Sequence, residues 1–534
     1  MQYPLVAALC ALSTVVEAVS LSVTTGCNIY TGLALPNGIS YWLGVRYAAP
    51  PIGDLRFMPP QDPPCNNEVQ LATEHGKVCL ATNSPLSETT NSEDCLFLDI
   101  YAPSNATSSS KFPVFFFIQG GGFNVNGNPN LNGAGLIAAS GYSMVVVTLN
   151  YRVGPYGFLT DGHLITANNG LRDQIKALEW VHEHISQFGG NPDHVVLGGS
   201  SAGAASISLL LAKTGRDRSS LFHAAAAESI SFAPVRTVEQ SQYQYENLAI
   251  RLGCVGSAQD SLDCLRSKPI AEFQAANIGI PYPGASSAPL YMYNPTIDGD
   301  LIIDYTYNVY AKGNFMRVPI LSGDDTNGGT VFVPSKTSTL GESDAFLKNQ
   351  FPKLTLEQIG KINELFPNPN QTCPNLGCYW RQASNAYGEL RYMCPNLYVA
   401  SAFAKYGTGR TFNYRYNVED PKLLAQGYGV PHTTEINPLF GPENIQGDPP
   451  TSYYSNGTNA MVVPVIQSYW TSFIRTFDPN KHRYPGTAIW EPYTREGQLR
   501  MLFETGGRTV MESVENGLRS RCEYLTGIGL DIQQ

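Results

Sequence analysis

The segment HVVLGGSSAGAASISLLLA, residues His194–Ala212, constrains the fold of this chain more than any other stretch. It reads as a β-branched strand, a turn of small residues and a helix that opens directly after the turn. Such a sharp turn crowds its central residue, so the positions two before and two after it must be glycine-small. In the G-x-S-x-G pentapeptide these are Gly199 and Gly203, and the turn projects the Ser201 hydroxyl above a sheet. Taken alone, the pentapeptide is also compatible with a Gly/Ser turn selected for close packing.

The same alternation of strand and helix extends through the chain. Apolar runs at Pro113–Ile118, Ser143–Tyr151 and Val318–Gly323 are typical of buried strands. Between them, Gly170–Ile185 repeats apolar residues at three- and four-residue steps, as an amphipathic helix does. The alternation predicts an α/β fold, with a large, mostly parallel central sheet and helices on both faces.

Composition excludes several classes of protein. Hydrophobic residues make up 43% of the 534 residues and charged residues only 15%, which excludes a disordered chain. The net charge of −10 argues against a nucleic-acid partner, because such binders normally carry a basic surface. Beyond the N-terminus, no run approaches the ~20 apolar residues that span a bilayer. We therefore expect neither a nucleic-acid partner nor a membrane span.

The N-terminus predicts secretion. Residues 1–18 contain an apolar run, with Val16 and Ala18 as small residues before a cleavage site. The run lacks the usual N-terminal Lys or Arg, and the alternative is a buried helix. We expect a signal peptide at 1–18 and a single domain at 19–534, in which the less regular residues 254–310 and 340–400 form a cap around a site. Cleavage removes Cys10 and leaves ten of eleven cysteines, an even number that suits disulfides.

Two further sequence signals bear on the site and the compartment. After the Pro113–Ile118 strand, Gln119 is followed by three consecutive glycines, Gly120–Gly122, whose N–H groups are left unscreened, which suits an oxyanion hole. A phosphate cradle is the rival interpretation, but no Gly-Lys-Ser/Thr follows. Glycosylation sequons, which fit a secreted protein, occur at Asn105, Asn370 and Asn456.

Several long motifs in this order resemble the type-B carboxylesterase/lipase family of α/β-hydrolases, which includes cholinesterases and fungal lipases. The motifs are GVRYAAPPIGDLRF at Gly44–Phe57, SEDCLFLDIY at Ser92–Tyr101, LNYRVGPYGFL at Leu149–Leu159, NGLRDQIKALEWV at Asn169–Val181, FGGNP at Phe188–Pro192 and GGSSAGA at Gly198–Ala204.

The resemblance implies a serine mechanism. Ser201 would be the acyl nucleophile, with Gly121, Gly122 and Ala202 as the oxyanion hole. The resemblance also implies disulfides between Cys79 and Cys95 and between Cys254 and Cys264. Cys27 and Cys65 are candidates to pair with each other, and the pairing of Cys373, Cys378, Cys394 and Cys522 stays open.

The base is sought among the histidines that follow Ser201, because α/β-hydrolases order their triad Ser, acid, His. His223 comes too soon and His482 lies in a polar turn, whereas His432 lies in a Gly/Pro-flanked loop similar to the family's histidine loop. His182 and His184 face different sides of a helix, so they form no metal pair. We expect no metal and no cofactor.

The acid departs from the family pattern. The family's turn resembles G-D-x-x-x-E-G-T, and the position of its glutamate is Gly328 here. Asp325 is a weak candidate to replace it, with Asp324, Glu435 or a Ser–His dyad as alternatives. Losing the carboxylate costs about 10⁴ in kcat in a model protease.

A second carboxylate is missing beside the nucleophile. Ser200 stands where the family commonly has Glu, whereas Ser229 resembles a retained family serine. With two carboxylates lost near the base, we expect a lowered pKa for His432.

These inferences predict a secreted serine hydrolase of small or medium carboxylic esters. The short polar loop between Cys79 and Cys95 favours soluble esters over triglycerides. The alternatives are a specialised acyl-transfer or metabolite-processing enzyme, a secreted lipase and, least favoured, a non-catalytic interaction domain, since such relatives usually lose the nucleophile.

Overall fold

The computed structural model describes residues 19–87, 89–217, 221–369 and 376–534. The predicted signal peptide at 1–18, the sequon residue Asn370 and Cys373 lie outside these ranges. The strands of the described chain are β1 Ser22–Thr25, β2 Asn28–Thr31, β3 Leu33–Ala34, β4 Ile39–Arg46, β5 Val69–Leu71, β6 Val78–Cys79, β7 Asn91–Ser92, β8 Phe97–Pro103, β9 Phe112–Ile118, β10 Val145–Leu149, β11 Gly190–Ser200, β12 Ala224–Glu228, β13 Arg236–Thr237, β14 Thr296–Ile297, β15 Ile320–Asp325, β16 Thr411–Asn417, β17 Leu499–Glu504 and β18 Arg508–Ser513.

The helices lie mainly between the strands of the central sheet. They are α1 Ala134–Ala139, α2 Gly154–Phe158, α3 Asn169–His184, α4 Ala202–Asp217, α5 Val238–Arg251, α6 Ala258–Ser267, α7 Ile270–Ala276, α8 Thr306–Ala311, α9 Leu340–Gln350, α10 Leu356–Leu365, α11 Trp380–Gly388, α12 Cys394–Tyr406, α13 Pro421–Ala425, α14 Ile436–Phe440, α15 Val462–Thr476 and α16 Asn516–Gly527. A π-helical turn, Glu389–Met393, joins α11 to α12.

The central sheet has eleven strands, in the order β18-β17-β16-β15-β12-β11-β9-β10-β8-β4-β3. The strands from β17 to β10 in this order run parallel, and antiparallel strands flank them at both edges. The predicted α/β fold with a mostly parallel sheet is confirmed. Because the carboxyl ends of parallel strands meet at one edge, residues after β11, β12 and β15 lie close together there.

Both faces of the sheet are covered, as the alternation along β9 shows. Val114 and Phe116 join one core with Leu171 of α3, whereas Phe115 joins a second core with Trp470 of α15. Successive side chains of a strand point to opposite faces, so a strand buried on both sides is continuously apolar. This explains the run of aromatic and β-branched residues that marked β9 in the sequence.

The prediction that residues 340–400 are less regular is wrong, because this stretch contains α9, α10, α11, the π-helical turn and the start of α12. Two of these helices begin with capping boxes, Thr339 with Glu342 and Thr355 with Gln358. The Thr-x-x-Glu/Gln spacing is a sequence-level signal for a helix start, and it was the signal available here.

Disulfides cross-link several segments outside the central sheet. The structure contains the Cys79–Cys95 and Cys254–Cys264 bonds that the resemblance implied, and also Cys27–Cys65 and Cys394–Cys522. Cys378 is disulfide-bonded as well. Within the described ranges, none of the helices is long and apolar enough to cross a membrane.

Candidate active site

Ser201 lies in the tight turn between β11 and α4, with a left-handed backbone at φ 56°. A Cβ atom on Gly203 would lie 2.0 Å from the carbonyl oxygen of Ile118. One on Gly199 would lie 2.8 Å from the carbonyl carbon of Gly203. Left-handed backbone at a non-glycine residue costs about 1–3 kcal/mol and persists only where the surroundings enforce it. Here the Ser201 N–H donates to the Glu228 carbonyl at 2.9 Å, which fixes the turn to β12.

The glycine loop after β9 is shaped by equally close contacts. Gly121 and Gly122 have φ values of 107° and 60°. A Cβ on Gly121 would lie 1.9 Å from the carbonyl oxygen of Val125, and one on Gly122 would lie 2.2 Å from the ring of Tyr291. Both positions therefore exclude a side chain on steric grounds as well as by their φ values.

The backbone amides that were predicted to form an oxyanion hole donate no hydrogen bonds in the described structure. Among the described residues, no carbonyl or side chain accepts a hydrogen bond from the N–H groups of Gly121, Gly122 or Ala202. The Ala202 amide also opens α4, where the helix dipole favours negative charge. Three such donors at the edge of a sheet suit a developing oxyanion.

His432 lies in the loop before α14 and is held by aromatic rings. Its ring centre is 4.1 Å from that of Tyr392 and 5.2 Å from that of Phe332. Part of the residue is exposed, but both ring nitrogens are buried and have no hydrogen-bond partner within the described chain. Desolvation lowers the pKa of His432 to about 3, and the positive charge of Arg391 adds to this. The direction is the one expected from sequence, but the causes are burial and a cation.

In the described part of the chain, none of the carboxylates considered as triad acids hydrogen-bonds the imidazole. Asp325 ends β15, and its Oδ2 accepts hydrogen bonds from the Thr433 N–H at 2.6 Å and the Ser229 hydroxyl at 3.1 Å. Asp324 accepts from the Asn396 amide at 2.7 Å. Asp325 thus holds the backbone of the histidine loop at the residue after His432, for whose ring it was one of the candidate acids.

Glu435 also makes no hydrogen bond to the His432 ring. Its Oε1 accepts a hydrogen bond from the Tyr414 hydroxyl at 2.9 Å. Its carboxyl group also interacts with that of Asp325, and the remaining buried oxygens, Asp325 Oδ1 and Glu435 Oε2, have no other partner in the described structure. Burial raises the pKa of both groups, and in Asp325 the charge of Glu435 raises it further. Two adjacent buried carboxyls do not readily ionise together.

A further buried acid, Glu228, escaped the sequence analysis. It is the last residue of β12, and its Oε1 accepts from the Trp470 indole N–H at 2.8 Å. Burial raises the pKa of Glu228 well above its usual range, and the charge of Glu435 contributes. The sequence signal that could have identified Glu228 is an acidic residue at the end of an otherwise all-alanine strand.

The position of the family's glutamate is open in this chain. A Cβ on Gly328 would lie 3.6 Å from the Asp325 carbonyl oxygen and 3.9 Å from Tyr392 Cδ2, which are ordinary contacts. Gly328 therefore lacks a carboxylate without any local steric reason for being glycine.

Hydrogen bonds join these parts into one site. The Ser201 turn is bonded to the end of β12, the Ser229 hydroxyl is bonded to the end of β15, and Asp325 is bonded to the residue after His432. A second connection runs through aromatic rings, from Tyr291 beside Gly122 to Phe332 at 6.4 Å and from there to His432.

Arg391 is a second residue that the sequence analysis missed. It lies in the π-helical turn next to Tyr392 and is 4% exposed, and its Nε donates to the Ser231 hydroxyl at 2.8 Å. Nothing in the sequence around Arg391 indicates a functional role, because it is a single arginine in a segment that was expected to be less regular.

The remaining predicted site residues are the glycosylation sequons, which lie at the surface where the structure describes them. Asn105 and Asn456 are exposed, so glycosylation at both sequons stays a prediction. Within the described residues, the one cluster of three potential metal ligands is Glu389 with Cys394 and Cys522, and both sulfurs are joined in a disulfide.

Comparison with known proteins gives a consistent result. Residues 25–522 match the carboxylesterase family. EstA of Aspergillus niger has a TM-score of 0.92 and 40% identity, covering 96% of this chain and 99% of its own. Lipase 1 of Geotrichum candidum is 32% identical and is covered over 95% of both chains. Secreted lipase 4 of Gibberella zeae is 29% identical over 92% of this chain and 89% of its own.

A further relative is neuroligin-3 of Mus musculus, which is 29% identical over 83% of this chain and 59% of its own. The similarity to the lipases and to EstA extends over most of both partners, and the family match includes every element of the site described above. The chain therefore belongs to the carboxylesterase family and is a carboxylic ester hydrolase with an α/β-hydrolase fold.

Proposed function

We propose that this protein is a secreted hydrolase of small or medium carboxylic esters that acts through an acyl-enzyme on Ser201. The observation that carries the proposal is the strained Ser201 turn, which lies at the sheet edge beside three unbonded amides. A serine kept in a left-handed conformation by glycine contacts on both sides is the arrangement that exposes a nucleophile.

His432 is the proposed base. The Ser201 Oγ attacks the ester carbonyl while its proton passes to a ring nitrogen of His432, and the N–H groups of Gly121, Gly122 and Ala202 bind the oxyanion. The intermediate expels the alcohol, which takes the proton from His432. Water then attacks the acyl-enzyme, gives a proton to His432, and the acid leaves as the proton returns to Ser201.

The imidazolium formed in each step has no carboxylate partner in this structure. Its ring is positioned by Tyr392 and Phe332, and Asp325 fixes the loop through Thr433. We therefore expect a Ser–His dyad with a lower turnover than an otherwise similar enzyme with a complete triad.

A fluorophosphonate probe and a set of 4-nitrophenyl esters test the proposal. Wild-type protein should be labelled and should hydrolyse the esters, whereas Ser201→Ala should lose both. Ser200→Ala is the matched control, because Ser200 is a buried neighbour that precedes the turn. Absence of label on the folded wild-type protein would contradict the proposal and would favour a non-catalytic role.

The acyl length of the preferred ester distinguishes an esterase from a lipase. Activity that peaks at short chains and does not rise at an oil–water interface is expected from the polar Cys79–Cys95 loop. Secretion is checked by sequencing the N-terminus of the exported protein, which should begin at Val19.

A further inference from the structure

Arg391 is a buried cation without a counter-charge. Its residue is 4% exposed and its Nε is bonded to Ser231, which is itself buried. In the described part of the chain, no Asp or Glu forms an ion pair with Arg391, and its two terminal nitrogens donate to no protein group. Burying an unpaired charge is costly, so such a residue requires compensation from elsewhere.

The position of Arg391 relates it to the proposed chemistry. It directly precedes Tyr392, the ring that packs on His432. Its guanidinium carbon lies 5.9 Å from the centre of the Tyr291 ring, and that ring lies beside Gly122 of the oxyanion loop. The charge of Arg391 also acts on the His432 imidazole. Arg391 therefore lies between the two halves of the site.

A second arginine adds positive charge to the same region. Arg236 is 5% exposed, its guanidinium stacks 3.7 Å above the Tyr282 ring, and its Nη1 has no partner. Burial lowers the pKa of Arg236, and the charge of Arg391 lowers it further, because the two cations repel each other. Two buried guanidinium groups that repel each other make the region favourable for an anion.

We propose that Arg391, held by Ser231, forms a subsite for an anionic group of the substrate, so that the preferred ester carries a free carboxylate. This rests on the proposed function. A guanidinium with two unengaged terminal nitrogens matches a planar carboxylate through two parallel hydrogen bonds. Half-esters of dicarboxylic acids combine such a carboxylate with the ester that Ser201 would attack.

Binding of the carboxylate has a consequence for the base. Neutralising Arg391 removes one of the two causes that lower the pKa of His432. The imidazole then becomes a stronger base when an anionic substrate is present. The carboxylate of the substrate, bound at Arg391, would thus replace part of the negative charge near His432 that is missing because position 328 is glycine.

The test compares two substrates that differ by one charge, 4-nitrophenyl hydrogen glutarate and its methyl ester. The measured quantity is the ratio of their kcat/KM values in wild-type protein, Arg391→Met and Arg391→Lys. Truncating one partner of a buried charge pair costs several kcal/mol, so Arg391→Met should lower the ratio about 30-fold or more. Arg391→Lys should retain an intermediate ratio, because the charge remains while the two-pronged geometry is lost.

Arg381 provides a matched control. It lies in the preceding helix, its guanidinium carbon is 4.8 Å from the centre of the Trp380 ring, and it donates to the Gly427 carbonyl. Among the described residues it makes no hydrogen bond to Ser201, His432 or the glycine loop. Arg381→Met should leave the ratio of the two kcat/KM values unchanged. A purely structural role for Arg391 would instead lower both kcat/KM values together and leave their ratio at the wild-type value, which would overturn the proposal.

A binding measurement covers the case in which Arg391→Met does not fold. Glutarate should slow the labelling of wild-type Ser201 by a neutral phosphonate, and Arg391→Lys should weaken this protection. If glutarate gives no protection and the wild-type protein does not favour the anionic ester, the anion subsite is wrong. Neutral-ester turnover and labelling would then still support the proposed function, whereas loss of both would refute the hydrolase itself.

Discussion

Ser201 and its glycine loop are fixed by contacts with the main chain, whereas His432 is fixed by aromatic side chains and by the bond from Thr433 to Asp325. On the nucleophile side, added Cβ atoms would approach carbonyl oxygens to 1.9–2.0 Å. On the histidine side, the position of the family's glutamate would accept a Cβ at 3.6 Å from its nearest neighbour.

This difference shows which half of the site is free to change. Backbone geometry leaves no alternative to glycine at Gly121 or Gly203, so the nucleophile half keeps the family pattern. A histidine can be positioned by ring packing as well as by a carboxylate, which agrees with the proposal that His432 serves as the base although Gly328 carries no carboxylate. Variants on each side can test this contrast between the sterically fixed Ser201 half and the more adaptable His432 half.

The largest effect is expected for Gly121→Ala. The new methyl group would displace the Val125 carbonyl and disturb the amides of the oxyanion hole, so kcat for a neutral ester should fall about 10²- to 10³-fold. Gly299→Ala is the control, because Gly299 has φ 77° and open space around it. Thermal melts of both variants separate strain from lost catalysis. A folded Gly121→Ala protein with wild-type turnover would show that this half is not sterically fixed.

Gly328→Glu should improve the enzyme. The open position accepts a side chain, and a carboxylate beside His432 would stabilise the imidazolium, so we expect kcat/KM for a neutral ester to rise about tenfold, a fraction of the 10⁴ known for a triad acid. Gly328→Gln has the same size without the charge and should show no gain. An unchanged rate in Gly328→Glu would mean that the packing of Tyr392 on His432 keeps the new carboxylate from reaching the imidazole.

The sequence predicted the half that depends on backbone sterics and missed much of the half that depends on packing. G-x-S-x-G and the triple glycine carry their own geometric reason, so Ser201, Gly121 and Gly122 could be placed from pattern alone. No local pattern shows that the carboxyl of Asp325 bonds the Thr433 N–H instead of the adjacent ring. The stacking of Tyr392 on His432 and the burial of Arg391 arise from a π-helical turn that is distant in sequence, and no motif announces it.

The pH profile should reveal the low basicity of His432. Neutral imidazole is the active form, so activity is lost as pH falls through the pKa of His432, which is about 3 and is lowered by burial and by Arg391. For a neutral ester, kcat/KM should therefore stay nearly constant between pH 8 and pH 5. An ordinary histidine, with a pKa of about 6.5, would become protonated within this range and lose activity. Arg391→Met should move the acid limb to higher pH. Half-maximal activity near pH 6.5 in wild-type protein would contradict the structural explanation.

The smallest effect is expected for Asp325→Asn. Asp325 and Glu435 are adjacent buried carboxyls that do not readily ionise together. An amide at position 325 can still accept from Thr433 and donate to Glu435, so stability should differ by less than about 1 kcal/mol. The folded pKa of Asp325 lies above its unfolded value, so its favourable contribution is complete at low pH and is lost as pH rises through the folded pKa. Denaturant unfolding should therefore favour the variant increasingly as pH rises.

Asp325→Ala is the contrasting variant, because it leaves the Thr433 N–H without an acceptor and should cost about 1–3 kcal/mol. The turnover of Asp325→Asn decides how the histidine half works. A change within about threefold agrees with an anchor for the loop. A loss approaching 10⁴ would identify Asp325 as an ionised triad acid in the working enzyme. It would also mean that the two halves of the site follow the same pattern after all, with the carboxylate moved from Gly328 to the end of β15.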